Sequence, residues 1–252
     1  MCLLLLLHRV RGDLPIVVAA NRDEYFDRPS APPAFSKDGR VLAPRDLRAG
    51  GTWIGVNRDG VFAGITNRSG TPLDAKRPSR GEICGAALGE ASARSAAARV
   101  IESVSKRPTN AFNLALADAE DAIVIHYDAR RRAEPIDLAP GLHVLTNHHD
   151  VDRLFVKEIP ERFKSLGRAA EHHEEALLAA LADVAKDHTV RAPGDHAICK
   201  HFDGRGTVSS SLVLVGSPPR PRVRFLYAPG PPCQAVYKSV PGTFVYPRGE
   251  RG

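Results

Sequence analysis

The chain opens MCLLLLLHRV, five leucines in an unbroken run that stops at His8-Arg9. A strand with one wet face alternates apolar and polar residues. A short continuous run between polar residues fits a strand buried on both faces. Residues 3–7 are therefore expected to form the central strand of a sheet. The run falls well short of the roughly 20 apolar residues that cross a bilayer. No basic residue precedes it, as an export signal requires, so neither a membrane span nor a leader is expected. LPIVVAA at 14–20 repeats the pattern after a turn at Arg11-Gly12-Asp13, which predicts an antiparallel pair.

Proline-rich residues 28–35 are expected as a surface loop. Residues 52–56 and 61–66 read as two strands, with Asn57-Arg58-Asp59-Gly60 as hairpin turn chemistry between them. Ser79-Arg80-Gly81-Glu82 matches a capping box and predicts one helix running to about Val104. Strands follow at 112–117, 123–127 and 142–146, then helices near 154–166 and 171–186, then strands at 208–215 and 223–227. Strands, then helices, then strands make an α+β or layered pattern, not an alternating doubly wound one. Residues 1–252 are expected to form one domain.

With 43% apolar residues the chain can bury a real core. Its net charge of +6 is carried by arginines scattered along the sequence. No basic stripe with interleaved aromatics and no helix-turn-helix pattern is present, so no nucleic-acid partner is expected. Cys2, Cys84, Cys199 and Cys233 form no CxxC pair, HExxH is absent, and the Cys and His spacings match no zinc pattern. The expectation is a reduced, cytoplasmic protein without a metal site.

The second strand runs into Asn21-Arg22-Asp23-Glu24. In an antiparallel pair the end of the second strand lies beside the start of the first, so Arg22 and Asp23 are expected to face Cys2. Removal of Met1, favoured by a small second residue, would leave a thiol and a free α-amine on one carbon skeleton. The thiol needs help, since its ordinary pKa is about 8.5. A guanidinium favours the thiolate. An α-amine with a pKa of about 7.7–8.0 can act as base, and Asp23 can orient it. Asn67 and Asn147 close strands as candidate oxyanion donors, although asparagine also follows strands as a turn former. Asn21, Arg48, Trp53 and His148 are expected to line the pocket. Trp53 could also simply fill core, and Asp46 with Arg48 reads either as a surface ion pair or as shaping the pocket through a glycine-rich approach.

VVAANRDE, LAPRDLRAGGTWIGV, ITNRSG, PSRGE, LTNH and GTVSSS, following Cys2 and its leucines, together resemble the NRDE family, also called the transport and Golgi organization 2 family. The resemblance runs from Cys2 to about Val215. It implies an N-terminal-nucleophile hydrolase type fold, a four-layer αββα sandwich similar to that of penicillin V acylases and bile salt hydrolases. In those enzymes an N-terminal cysteine attacks an amide among Arg, Asp and Asn residues, places that fall here on Cys2, Arg22, Asp23, Asn67 and Asn147. One departure stands out. Many family members have arginine where this chain has Val208, so a cation is missing that Arg205 or Lys200 would have to replace.

Two functions are in play. The first is an amide or acyl hydrolase of small molecules, using Cys2 and needing no cofactor. The second, which the resemblance also implies, is haem binding or trafficking without catalysis. Haem needs an axial ligand and cations for its propionates. His148-His149, His172-His173 and Cys199 with His201 are the ligand types on offer. His172-His173, set among glutamates, reads first as a solvated helix face.

Overall fold

The leucine run is divided between two cores. In the computed structural model, which describes residues 3–128, 133–147, 150–152, 166, 173–189 and 197–244, Leu3–His8 form strand β1. Successive side chains on a strand point to opposite faces. Leu3, Leu5 and Leu7 join one buried cluster, and Leu4 and Leu6 join another. Fully burying one leucine is worth about 1.5–3 kcal/mol, so both faces of β1 contribute to the fold. Leu4 fits against Gly64, where an added Cβ would come within 2.4 Å of the leucine Cδ1. His8 ends the strand, buried, with Nε2 donating to the Asp118 carbonyl at 3.1 Å.

The remaining strands are β2 (Ile16–Tyr25), β3 (Ser30–Phe35), β4 (Val41–Asp46), β5 (Ile54–Asn57), β6 (Phe62–Asn67), β7 (Phe112–Ala117), β8 (Ala122–Tyr127), β9 (Glu134–Asp137), β10 (Gly141–Thr146), β11 (His201–Phe202), β12 (Arg205–Val215), β13 (Val223–Ala228) and β14 (Lys238–Ser239). They form two antiparallel seven-stranded sheets. One runs β10-β1-β2-β12-β13-β14 with β11 beside β12, and the other runs β3 to β9 in chain order. β1 thus lies one place in from the edge, and β2 and β12 hold the middle. Leu4, Leu6, Val18 and Val213 of the first sheet meet Ile54, Phe62, Ala115 and Val124 of the second. Helices α1 (Arg80–Ala87) and α2 (Ala93–Lys106) cover the outer face of the second sheet. Helix α3 (Glu174–Ala185) covers the first, together with Leu166. The result is the expected α+β sandwich with helices outside and sheets inside. Among the described residues no helix is long and apolar enough to cross a membrane.

Four local expectations change. Ser79 does cap α1, accepting from the Gly81 amide, but the single helix to Val104 is two. Gly89 follows the end of α1, and Ser92 starts α2 with its own capping box to Ser95. Residues 28–35 are not wholly loop. Ser30–Phe35 form the edge strand β3, whose register shifts between Ala31 and Ala34 around Pro32-Pro33. Proline lacks an amide hydrogen and is tolerated at an edge or a bulge. β2 continues past Ala20 to Tyr25 because β12 pairs with it along its whole length. The helix expected near 154–166 lies outside the described residues apart from Leu166, and the helix expected at 171–186 begins at Glu174.

Candidate functional site

β1 and β2 pair antiparallel with Leu3 opposite Asn21, so Arg22 and Asp23 lie at the end of the sheet where the chain begins. Being consecutive on a strand, they face opposite ways. The Arg22 guanidinium points towards the second sheet and is buried. Its Nη2 lies 3.3 Å from Asp46 Oδ2, its Nη1 donates to Ser30 Oγ at 3.3 Å, and its plane sits 4.2 Å from the centre of the Trp53 ring. Asp46 ends β4 and also accepts from Arg28 Nε at 2.7 Å and from the amides of Arg48 and Ala49 at 3.0 and 2.9 Å. Burial opposes its charge, but the Ala49 amide and Arg28 prevail and hold its carboxyl below the ordinary carboxylate range. The following turn is glycine-built. Gly50 has φ +79°, and a Cβ on Gly51 would meet the Gly81 carbonyl carbon at 2.5 Å. The Asp46 loop is thereby pressed against the start of α1, with the Thr52 amide on the Gly81 carbonyl at 3.3 Å.

Asp23 turns the other way. It accepts from Lys200 Nζ at 2.9 Å and from Thr207 Oγ1 at 2.7 Å. The lysine and carboxylate side chains are only 4% and 8% exposed. Lys200 and Thr207 also hold one another: each amide donates to the other residue, to Thr207 Oγ1 and to the Lys200 carbonyl, at 2.9 Å. β12 shifts register between Thr207 and Ser209, so Val208 sits at a bulge. Lys200 supplies a cation beside Asp23. Arg205 instead lies exposed, 5.7 Å from the centre of the Phe202 ring.

Between the sheets a cavity of about 520 Å³ is bordered by Leu3, Arg22, Asp23, Arg48, Trp53 and Asn67. A second space of about 280 Å³ shares Asp23 and Asn67 with it and adds Asn147 and Arg205. Most of the residues expected to form a pocket do come together here. Arg48 reaches the rim, where its side chain is exposed and bonded to Asp27. Asn21 borders the same space, and its side-chain amide donates to the carbonyls of Ala185 and Ile198, at 2.8 and 3.1 Å. Pleating turns that side chain towards α3, so it ties the helix end to β2. Cys2, His148 and His149 lie outside the described residues. The site also uses residues that spacing does not reveal: Thr207, and Asp46 as partner of Arg22. Large exposed apolar side chains gather at the openings. Tyr25 and Leu73 border the larger cavity, and Phe202 the smaller. Among the described residues lining either space, Tyr25 is the only one of a type that ligates haem iron.

The arrangement is similar in fold to solved acylases. The structure of penicillin V acylase from Agrobacterium tumefaciens superposes with a TM-score of 0.52 at 12% identity, covering 96% of this chain and 98% of that one. A mutant conjugated bile acid hydrolase from Clostridium perfringens gives 0.52 at 10% identity, over 96% and 97% of the two chains. These likenesses show an N-terminal-nucleophile hydrolase type fold. In sequence, the Transport and Golgi organization protein 2 homolog of Homo sapiens is 28% identical over 79% of this chain and 82% of its own length. The Bos taurus homolog is 30% identical over the same shares. The family model for Transport and Golgi organisation 2 matches residues 1–219. With most of its length matched in this way, the chain belongs to the Transport and Golgi organisation 2 family.

Proposed function

We propose that this chain is a cysteine N-terminal-nucleophile hydrolase that cleaves the amide bond of a small N-acyl substrate. The observation that carries the proposal is the place of the cavity. It opens beside Leu3, to which Cys2 is joined, and Arg22 forms part of its wall. Removal of Met1 exposes the Cys2 amine. That amine takes the thiol proton as sulfur bonds to the substrate carbonyl carbon. Arg22, held by Asp46 and Ser30 and stacked on Trp53, is a fixed cation that favours the thiolate. Asp23, anchored by Lys200 and Thr207, orients the amine. The amides of Asn67 and Asn147 hold the oxyanion. Collapse breaks the C–N bond and passes the proton to the leaving amine. Water then attacks the thioester, releases the acid and restores the thiol. The apolar side chains of Tyr25 and Leu73 at the mouth suit an acyl chain, and a reducing cytoplasm suits a nucleophilic thiol.

The haem reading has less to draw on, with Tyr25 the sole haem-ligating type among the described lining residues. The test begins with the intact mass of untagged protein, where loss of one methionine is expected. Processed protein should then hydrolyse members of an N-acyl amide panel, and Cys2→Ala should fall to the background rate while its melting temperature holds. Retained Met1, or equal turnover by Cys2→Ala, would overturn the proposal. A Soret shift on haem titration without any turnover would favour the haem reading.

A further inference from the structure

Around Lys200 in the chain, four side chains of metal-ligating type converge. His188 follows the end of α3. Cys199 and His201 flank Lys200, and Cys233 lies between β13 and β14. Their ligand atoms all lie within 4.8 Å of one another. Cys199 Sγ is 3.7 Å from Cys233 Sγ and 3.7 Å from His201 Nε2, and His201 Nε2 is 3.2 Å from Cys233 Sγ. The His188 and His201 rings stand with centroids 5.1 Å apart.

These separations can be set against a metal's requirements. Zinc takes thiolate at about 2.3 Å and imidazole nitrogen at about 2.0–2.1 Å in a tetrahedron. The edges of that tetrahedron are about 3.8 Å between sulfurs and about 3.5 Å between sulfur and nitrogen. The three measured edges lie within a few tenths of an ångström of those values. Only His188, exposed at the end of α3, has to turn inwards.

We propose that His188, Cys199, His201 and Cys233 bind one zinc ion in a closed, structural Cys₂His₂ site. Tetrahedral S₂N₂ donors select zinc over the harder cations, and four protein ligands leave no open position for catalysis. Binding releases the two thiol protons to solvent. The dication and two thiolates then sum to zero charge, which suits a site that includes the fully buried Cys199. The backbone already draws the segments together, since the amides of Ile198 and Cys199 both donate to the Asp187 carbonyl, at 3.0 and 2.9 Å. The sequence hides the site because its ligands come from three separate segments and only Cys199 and His201 are close in the chain. The consequence reaches the cavity. Ligands on both sides of Lys200 fix the backbone that presents its ammonium to Asp23. The metal clamps the support of the candidate site without touching a substrate.

The test is metal content of the full-length chain, purified reduced without chelator and then offered zinc. Native mass spectrometry is expected to show about one zinc per chain, with the mass of the metal less two protons. Cobalt in its place should give thiolate charge-transfer and intense tetrahedral visible bands. His188→Ala, an exposed position that leaves the fold intact, should weaken zinc retention against a competing chelator. Cys233→Ser combined with His201→Ala should reduce bound zinc to about none. Wild-type protein that takes up no zinc while its thiols are reduced overturns the proposal. So does zinc retained unchanged in the double variant, or a Cys199–Cys233 disulfide that persists in reductant. Metal content is read independently of turnover, so this proposal and the hydrolase proposal fail separately.

Discussion

Arg22 and Asp23 are neighbours in the chain, yet their buried partners come from opposite ends of it. Arg22 is served locally, by Ser30, Asp46 and Trp53, all within one stretch of strands and glycine turn. Asp23 is served by Lys200 and Thr207, brought in only when β12 pairs with β2. The first cluster is redundant. Asp46 gathers two arginines and two backbone amides, so no single partner of its carboxylate is critical. The second holds its carboxylate, deeper in the protein, through the Lys200 ammonium and the Thr207 hydroxyl. Local clusters are protected by number, and long-range ones depend on the topology that assembles them.

The largest effect should come from breaking the long-range pair. Lys200→Met takes the ammonium away from a buried carboxylate and should lower the unfolding free energy by about 3–5 kcal/mol, read by urea denaturation. Adding Asp23→Asn should recover most of that loss. A double variant no better than the single one would mean that the pair is not what was lost. The next effect tests the local cluster where it is most exposed to damage, in its glycines. Gly51→Ala places a methyl group on the Gly81 backbone and should cost about 1–3 kcal/mol.

A smaller effect is tied to pH. The Asp46 carboxyl titrates below its ordinary value of 3.8, so its charge stabilises the fold above that pH. This stability is lost as pH falls through the folded pKa. Asp46→Asn should therefore be less stable than wild type by about 1–2 kcal/mol near neutrality, and the gap should close in acid. A gap that stays constant down to acid unfolding would remove the charge from the explanation. The smallest effect is Arg28→Ala, about 0.2–1 kcal/mol for a partly exposed partner. Arg22 and the two amides remain on Asp46, and the acid transition should move slightly upwards.

The same contrast governs what could be read in the sequence. The leucine strand, the Asn57–Gly60 turn, the Ser79 cap and the cluster from Asn21 to Glu24 are local patterns, and the structure contains each of them. So is the layered α+β class, since strand and helix periods repeat along the chain. β3 was hidden by Pro32-Pro33, which signal a loop unless the strand lies at an edge. The break between α1 and α2 was hidden because a good cap at Ser79 does not say how far its helix runs. Asp46 was visible as one end of an ion pair or as part of a glycine-rich approach to the pocket, but not as the partner of Arg22. Lys200 could be named only as a possible stand-in for a missing arginine, because no spacing rule links it to Asp23 across 177 positions. The opposite facing of Arg22 and Asp23 follows from pleating alone, once β2 is known to continue through them.

The uniform leucines of β1 carry one more consequence. Sliding the strand by one residue would exchange its two faces, but from Leu3 to Leu7 the exchange replaces leucine by leucine and costs little in burial. Hydrophobicity cannot set this strand's alignment. It must be set by a feature that a slip would spoil: the buried imidazole of His8, which would be carried away from the Asp118 carbonyl. The histidine works as an index stop at the far end of the strand. How far the front of the chain projects towards the cavity is then decided about 17–20 Å away, by a residue that takes no part in the chemistry.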